Sequence, residues 1–207
     1  MITLEIPKPE ALIPELAVGL RTTSNFTMVH TPLVVTIYAP GIEAMLNQQY
    51  LSKKAALQSE LADGNYSQAV WLHERPYRLD AFLAYMHKMT DEEYWSLLGG
   101  IWTDSENIHE NMQGWLLALS VKRPHRNKMM SPEEREFFMA LPTKLTIHRG
   151  GTPDGLSWTL DKDTAEWFAK RFSHKKGKVH TRNIDKHEAV AYFAGRGESE
   201  IVWTGAI

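Results

Sequence analysis

Apolar and polar positions follow a strand-like period early in the chain, a helical one through its middle and a strand-like one again near its end. "PLVVTIYAP", Pro32 to Pro40, is β-rich and bounded by proline, which predicts one strand in the N-terminal third. From there to Leu141 the pattern is helical. "IEAMLNQQYLSKKAALQSELADG" sets Met45, Leu46, Leu51, Ala55, Leu57 and Leu61 near helical spacing and stops at Gly64. "TDEEYWSLLGGIW" opens with Thr90 three residues before Glu93, a capping-box arrangement in which side chains satisfy free backbone N–H groups at a helix start. "SPEEREFFMAL" repeats that logic with Ser131 as the cap, Pro132 at the first helical position and Glu134 at the third. Trp95, Trp102 and Trp115, with Tyr94, Leu97 and Leu98, are assigned to helix packing.

After Pro142 the character changes. "KLTIHRG", Lys144 to Gly150, alternates Leu145, Ile147 and Arg149 on one face as a strand does, and "GGTPDG" breaks it. "LSWTL" is a short strand-like piece. "DKDTAEWFAKRF", Asp161 to Phe172, spaces Ala165, Phe168, Ala169 and Phe172 as one face of a helix, capped by an aspartate or by Thr159. "VHTRNI" and "EAVAYF" are further strands, and the second pairs through the turn at Gly195 to Gly197 with a terminal strand, "ESEIVW". The expected fold class is α+β, with a mainly helical region over 1–140, a β-rich segment over 141–207, and both in one compact domain. On the terminal strand, alternation sets Glu198, Glu200 and Val202 on one face, with the two carboxylates roughly 7 Å apart. Taken alone, such a pair also fits a solvated strand edge, where charge discourages edge-to-edge pairing.

Composition removes several classes of function. Apolar residues at 43% and charged residues at 23% are ordinary globular values, so disorder is not expected. A net charge of −2 leaves no bulk electrostatic case for DNA, RNA or a membrane surface. The absence of cysteine removes disulfides, thiolate nucleophiles and cysteine-ligated zinc. "MITLEIPKPEALIPEL" carries Glu5 and Pro7 where a signal peptide needs an apolar run, and no stretch approaches the ~18 apolar residues of a membrane span, so a cytoplasmic protein is expected. The nine histidines include no H-E-x-x-H spacing, so no metal is expected. His174 and His180 bracket a basic loop of Lys175, Lys176 and Lys178, read as solvated. His148 is read as a core or surface histidine. P-loop, G-x-S-x-G and G-x-G-x-x-G motifs are missing, so those chemistries have no support.

Three pieces stand in order: an arginine at a strand end in "IHRGG", a hydroxyl pair around a tryptophan in "GLSWT", and the carboxylate pair in "GESEIVW". This order resembles the arginine, serine, glutamate class of mono-ADP-ribosyltransferases, particularly small bacterial and phage-type members that include toxins and effectors. The motifs cover about Leu141 to Trp203, and the helical half enters more loosely through "EYWSLLGGIWTDSEN". The resemblance implies a compact split β-sheet unit that uses NAD as a substrate, with a helical half that selects the target or acts as scaffold. In the better-known toxins a long helical segment separates the arginine strand from the serine strand, whereas here Arg149 and Ser157 are eight positions apart. Either the helical half supplies that support from the N-terminal side, or the site is assembled differently.

By the resemblance, Glu200 stabilises the positive charge that develops on ribose as the bond to nicotinamide breaks, and grips a ribose hydroxyl. Glu198 orients and deprotonates the attacking group, with arginine of a protein target as the acceptor. Arg149 holds the pyrophosphate of NAD, Gly150 and Gly151 leave room for the dinucleotide, and Ser157 and Thr159 contribute hydroxyls on the NAD-contacting strand. Trp158 points the other way, into the core. Two other functions are weighed: an NAD glycohydrolase, and a non-catalytic binding or inhibitor protein that uses the tryptophan-rich helical half as its interface. A nucleic-acid acceptor is left open, although the near-neutral charge argues against tight unassisted binding.

Overall fold

The computed structural model describes residues 12–106, 108–171 and 177–205, and contacts between Cα atoms divide the chain into two compact units that meet at Met89 and Thr90. The boundary therefore falls well before residue 140, and three helices expected with the N-terminal region belong to the same unit as the β-rich segment. Both units mix helices with antiparallel strands, an α+β architecture.

The first unit opens with a short helix, α1 (Pro14–Val18), and a three-stranded antiparallel meander, β1 (Leu20–Thr22), β2 (Thr27–His30) and β3 (Val35–Tyr38). Only β3 is expected from its sequence. The other two strands are short and unmarked by alternation, and the turn between them is made by Thr23, whose Oγ1 accepts from the backbone N–H of Asn25 (3.4 Å) and of Phe26 (3.3 Å). Three helices follow: α2 (Glu43–Ala62), α3 (Tyr66–Trp71) and α4 (Arg78–Tyr85). Of the six apolar positions expected to line one face of α2, only Leu46 is buried; Met45 and Leu51 are 59% and 49% exposed. Helical spacing sets residues on a face but does not guarantee that a partner covers the whole of it. Leu46 completes a core with Leu16, Val29, Val34 and Tyr38.

The second unit begins with α5 (Asp91–Asp104), whose cap Thr90 accepts from the N–H of Glu93 at 3.3 Å, as expected. After α6 (Met112–Ser120), α7 (Pro132–Ala140) carries a full capping box: Ser131 Oγ accepts from the Glu134 N–H at 3.2 Å and Glu134 Oε2 accepts from the Ser131 N–H at 2.9 Å. The expected packing of Tyr94, Trp95, Leu97, Leu98, Trp102 and Trp115 holds, since all six are buried. Trp102 meets Trp115 edge to face at 5.0 Å, a geometry in which the positive ring edge faces the negative ring face. Two polar handles in this core have backbone partners: Tyr94 Oη donates to Ala118 O at 2.7 Å and Trp95 Nε1 to Pro124 O at 2.9 Å.

The β-rich segment comprises β4 (Lys144–Gly150), β5 (Ser157–Thr159), α8 (Lys162–Arg171), β6 (Val179–Asp185), β7 (Ala189–Phe193) and β8 (Glu200–Trp203). Its strands form one five-stranded antiparallel sheet in the order β6-β4-β5-β8-β7. β4 and β6 pair from Lys144 opposite Asp185 to Gly150 opposite Val179. β5, β8 and β7 pair among themselves, with β7 and β8 joined through the turn at Gly195 to Gly197 as expected. These two groups are connected by a single residue pair, His148 opposite Thr159. The sheet is thus continuous in its pairing, not divided, yet it has a seam one rung wide. Asp161 caps α8, accepting from the Asp163 N–H at 3.0 Å and from Thr164 Oγ1 at 2.7 Å.

Burial of Tyr94 has a consequence at high pH. Its hydroxyl is pushed up to about 12 by loss of hydration, an effect that the Arg123 guanidinium 4.6 Å from the ring opposes in part. The unfolded phenol ionises near ~10, so the folded state binds more protons in between, and its stability should be full below that pH and fall as pH rises toward 12. Tyr38 in the first unit is raised to about 12 by burial and by Glu43, and adds to the same trend. Urea unfolding across this range should show the fall, and Tyr94→Phe should make it shallower.

Candidate active site

The second unit holds a cleft of about 880 Å³, inside the ~300–1,000 Å³ usual for small-molecule sites. One wall is the sheet around the seam, with His148, Arg149 and Gly150 from β4 and Ser157, Trp158 and Thr159 from β5. Glu198 and Glu200 join it from the last turn and strand. α8 contributes Ala165, Phe168 and Arg171, and Trp102 with Glu106, His109 and Glu110 lines it from the end of α5 and the segment beyond. Of the seven residues given a site role from the sequence, Arg149, Gly150, Ser157, Thr159, Glu198 and Glu200 line this one cavity, and Gly151 does not.

Arg149 lies where β4 and β5 stop pairing. Its Nε donates to Thr152 O at 2.8 Å and its Nη1 to Ser157 O at 2.5 Å, so two of its five N–H donors close the β4–β5 loop. The guanidinium rests on Gly155, where an added Cβ would come within 1.9 Å of Arg149 Cζ. Burial pulls the guanidinium below its ordinary value, while Glu200 and Asp154 act in the opposite direction. Arg149 is therefore a member of the loop's architecture as well as a cation at the cleft, and Glu200 is near enough to be felt by it.

Gly150 makes room for something other than a ligand. A Cβ there would lie 2.2 Å from Ala165 O and 2.4 Å from Ala169 N, so the missing side chain lets the backbone of α8 rest directly on β4. The space expected for a dinucleotide at this position is filled by the helix. Gly151 has φ +102°, in the left-handed region that glycine tolerates, and nothing lies within 4 Å of its would-be Cβ.

Ser157 and Thr159 share one side of β5, and Trp158 turns into the core, where its Nε1 donates to Gly155 O at 2.8 Å. The Thr159 hydroxyl donates to Glu198 O at 2.6 Å, its one proton, and accepts from the Asp161 N–H at 3.0 Å. One side chain thereby ties the start of α8 to the turn that carries the acids.

The two carboxylates are not arranged as strand alternation predicts. β8 starts at Glu200; Glu198 ends the 3₁₀ turn at Gly195–Gly197 with φ −88° and ψ −8°, and Ser199 between them has φ 44°. Left-handed backbone at a serine costs on the order of 1–2 kcal/mol, and such residues gather at functional sites. The Ser199 carbonyl accepts from the Leu160 N–H at 3.0 Å, which helps hold the kink. Turn and strand together bring both acids to the cleft by a different route.

Sequence reasoning missed Glu106, His109, Glu110, Phe168 and Arg171 as cleft residues. The signal for the first three is a polar run between two apolar helices; for Arg171 it is a cation one helical turn after Trp167, over whose ring its Cζ lies at 4.8 Å. His148, read as a core or surface residue, lines the cleft and bonds Thr181 Oγ1 through Nδ1 at 2.9 Å. Of the basic loop, residues 174–176 lie outside the described residues, as does Phe172. Among the described residues no group of three acidic or histidine side chains is placed to hold a metal ion, and no helix is long and apolar enough to cross a membrane.

Compared with models of protein families, with curated proteins and with solved structures, the chain matches none.

The two close-packed glycines should differ in their tolerance of a methyl group. Gly150→Ala drives a Cβ into helix backbone that cannot yield, and should cost about 1–3 kcal/mol in urea unfolding. Gly155→Ala meets the end of a flexible side chain and should cost less, while displacing Arg149 from the loop.

Proposed function

We propose that the protein is an NAD-dependent mono-ADP-ribosyltransferase acting on an arginine of a protein target. The observation that carries this reading is the gathering of Arg149, Ser157, Thr159, Glu198 and Glu200 around one cleft of ligand size. Cationic groups suited to a pyrophosphate, Arg149 and Arg171, stand in the same cavity as the two acids, the combination that a dinucleotide with a reactive glycosidic bond requires.

The chemistry follows from the acids. Heterolysis of the bond between nicotinamide and ribose leaves its electron pair on the nicotinamide nitrogen and a positive charge spread over the ribose C1′ and ring oxygen. A carboxylate fixed beside that charge lowers the barrier, because it is favourable in the transition state and much less so in the ground state. Glu200 is held for this by its place between β5 and β7, opposite Thr159 and Phe193. A guanidinium nitrogen of the acceptor then bonds to C1′ and loses a proton to Glu198. Because the guanidinium pKa lies above ~12, that transfer accompanies attack and does not precede it.

Incubation with labelled NAD and a cell lysate tests the reading directly. Wild-type protein should release nicotinamide and label a target; Glu200→Gln should lower both by about 10²–10³-fold while leaving the unfolding transition in place. Wild-type rates in that variant would overturn the assignment. Glu198→Gln should lose transfer and keep hydrolysis of NAD. Release of nicotinamide by wild type with no labelled acceptor would make the protein an NAD glycohydrolase instead.

A further inference from the structure

A second depression, of about 390 Å³, adjoins the cleft and shares two of its residues, Phe168 and Glu198. The rest of its lining includes Asp161, Asp163, Thr164 and Trp167, from the cap and first two turns of α8. Among the described residues its charged lining is acidic: Asp161, Asp163 and Glu198. The Asp161 carboxylate is occupied at the helix start, but no partner of the Asp163 carboxylate is found among the described residues. Beside it, the Trp167 indole is 52% exposed, a large apolar surface left in water. Indole is the side chain best suited to receive a cation, and Trp167 already packs against one, the Arg171 guanidinium at 4.8 Å.

Carboxylate and indole together select a cationic side chain, and the shared Glu198 puts that selection next to the acid assigned to the acceptor. We propose that this depression is a specificity subsite for a lysine or arginine that neighbours the modified arginine in the target polypeptide, held by Asp163 and Trp167. The inference rests on the transferase reading. A basic residue seated there positions the neighbouring guanidinium at Glu198, where the two cavities meet, and the target is then recognised as a short basic stretch and not as an isolated arginine.

Two peptides test it, each with one acceptor arginine, flanked in one by lysines and in the other by glutamines. Calorimetry without NAD should show the lysine-flanked peptide binding about tenfold more tightly to wild type, and both Asp163→Asn and Trp167→Ala should abolish that preference. Peptide KM in the transfer reaction should follow the same order, while nicotinamide release in the absence of peptide is unchanged in Asp163→Asn. Equal binding of the two peptides to wild type, or a preference that survives in both variants, would overturn the subsite. Absence of nicotinamide release from wild type would instead refute the transferase reading, and the binding comparison, which needs no NAD, would still decide the subsite.

Discussion

The guanidinium of Arg149 occupies the place where two strands part, and the geometry of the cleft depends on what it does there. Past the pair His148 and Thr159 the β4 and β5 backbones no longer bond to each other, and their carbonyls take other donors. Arg149 supplies donors to Thr152 O and Ser157 O from a planar group that only a glycine at 155 could accommodate. A short connection of this kind leaves no room for the long helical segment found in the toxins, and the opposite wall comes instead from α5 and the residues that follow it.

The acid-bearing turn is fixed from three directions. Thr159 bonds the Glu198 carbonyl, the Leu160 N–H bonds the Ser199 carbonyl, and Glu134, besides capping α7, accepts from the Ala194 N–H at 2.9 Å through its other oxygen. These bonds offset a serine held at positive φ. The backbone that carries both carboxylates is therefore fixed by bonds from β5, from the residue that follows it and from α7.

Much of this was legible in the sequence. Caps at Thr90 and Ser131 were readable because a hydroxyl three residues before a glutamate states its own hydrogen bonds, and β4 because Leu145 and Ile147 alternate with polar neighbours. The order of Arg149, Ser157, Thr159, Glu198 and Glu200 along the chain picks out residues that line one cleft. What could not be read was anything set by contact at a distance. Gly150 looks like room for a ligand until α8 is seen resting on it. Glu198 looks like a strand residue until Ser199 turns the backbone over. The polar run at Ser105 to Glu110 carries no periodicity to say that it borders a cavity, and β1 and β2 are too short to announce themselves.

The one-rung seam between His148 and Thr159 gives the sheet an uneven grain. β4 is bound to β6 along its whole length and to α8 through Gly150, whereas toward β5 it is held by one ladder pair and an arginine side chain. Fewer residues pair across that line than between any other two neighbouring strands of this sheet, and the cleft is lined from both sides of it. A molecule that bridges Arg149 on one bank and Glu200 on the other would act as the missing cross-ties, so occupancy and rigidity of this sheet rise together.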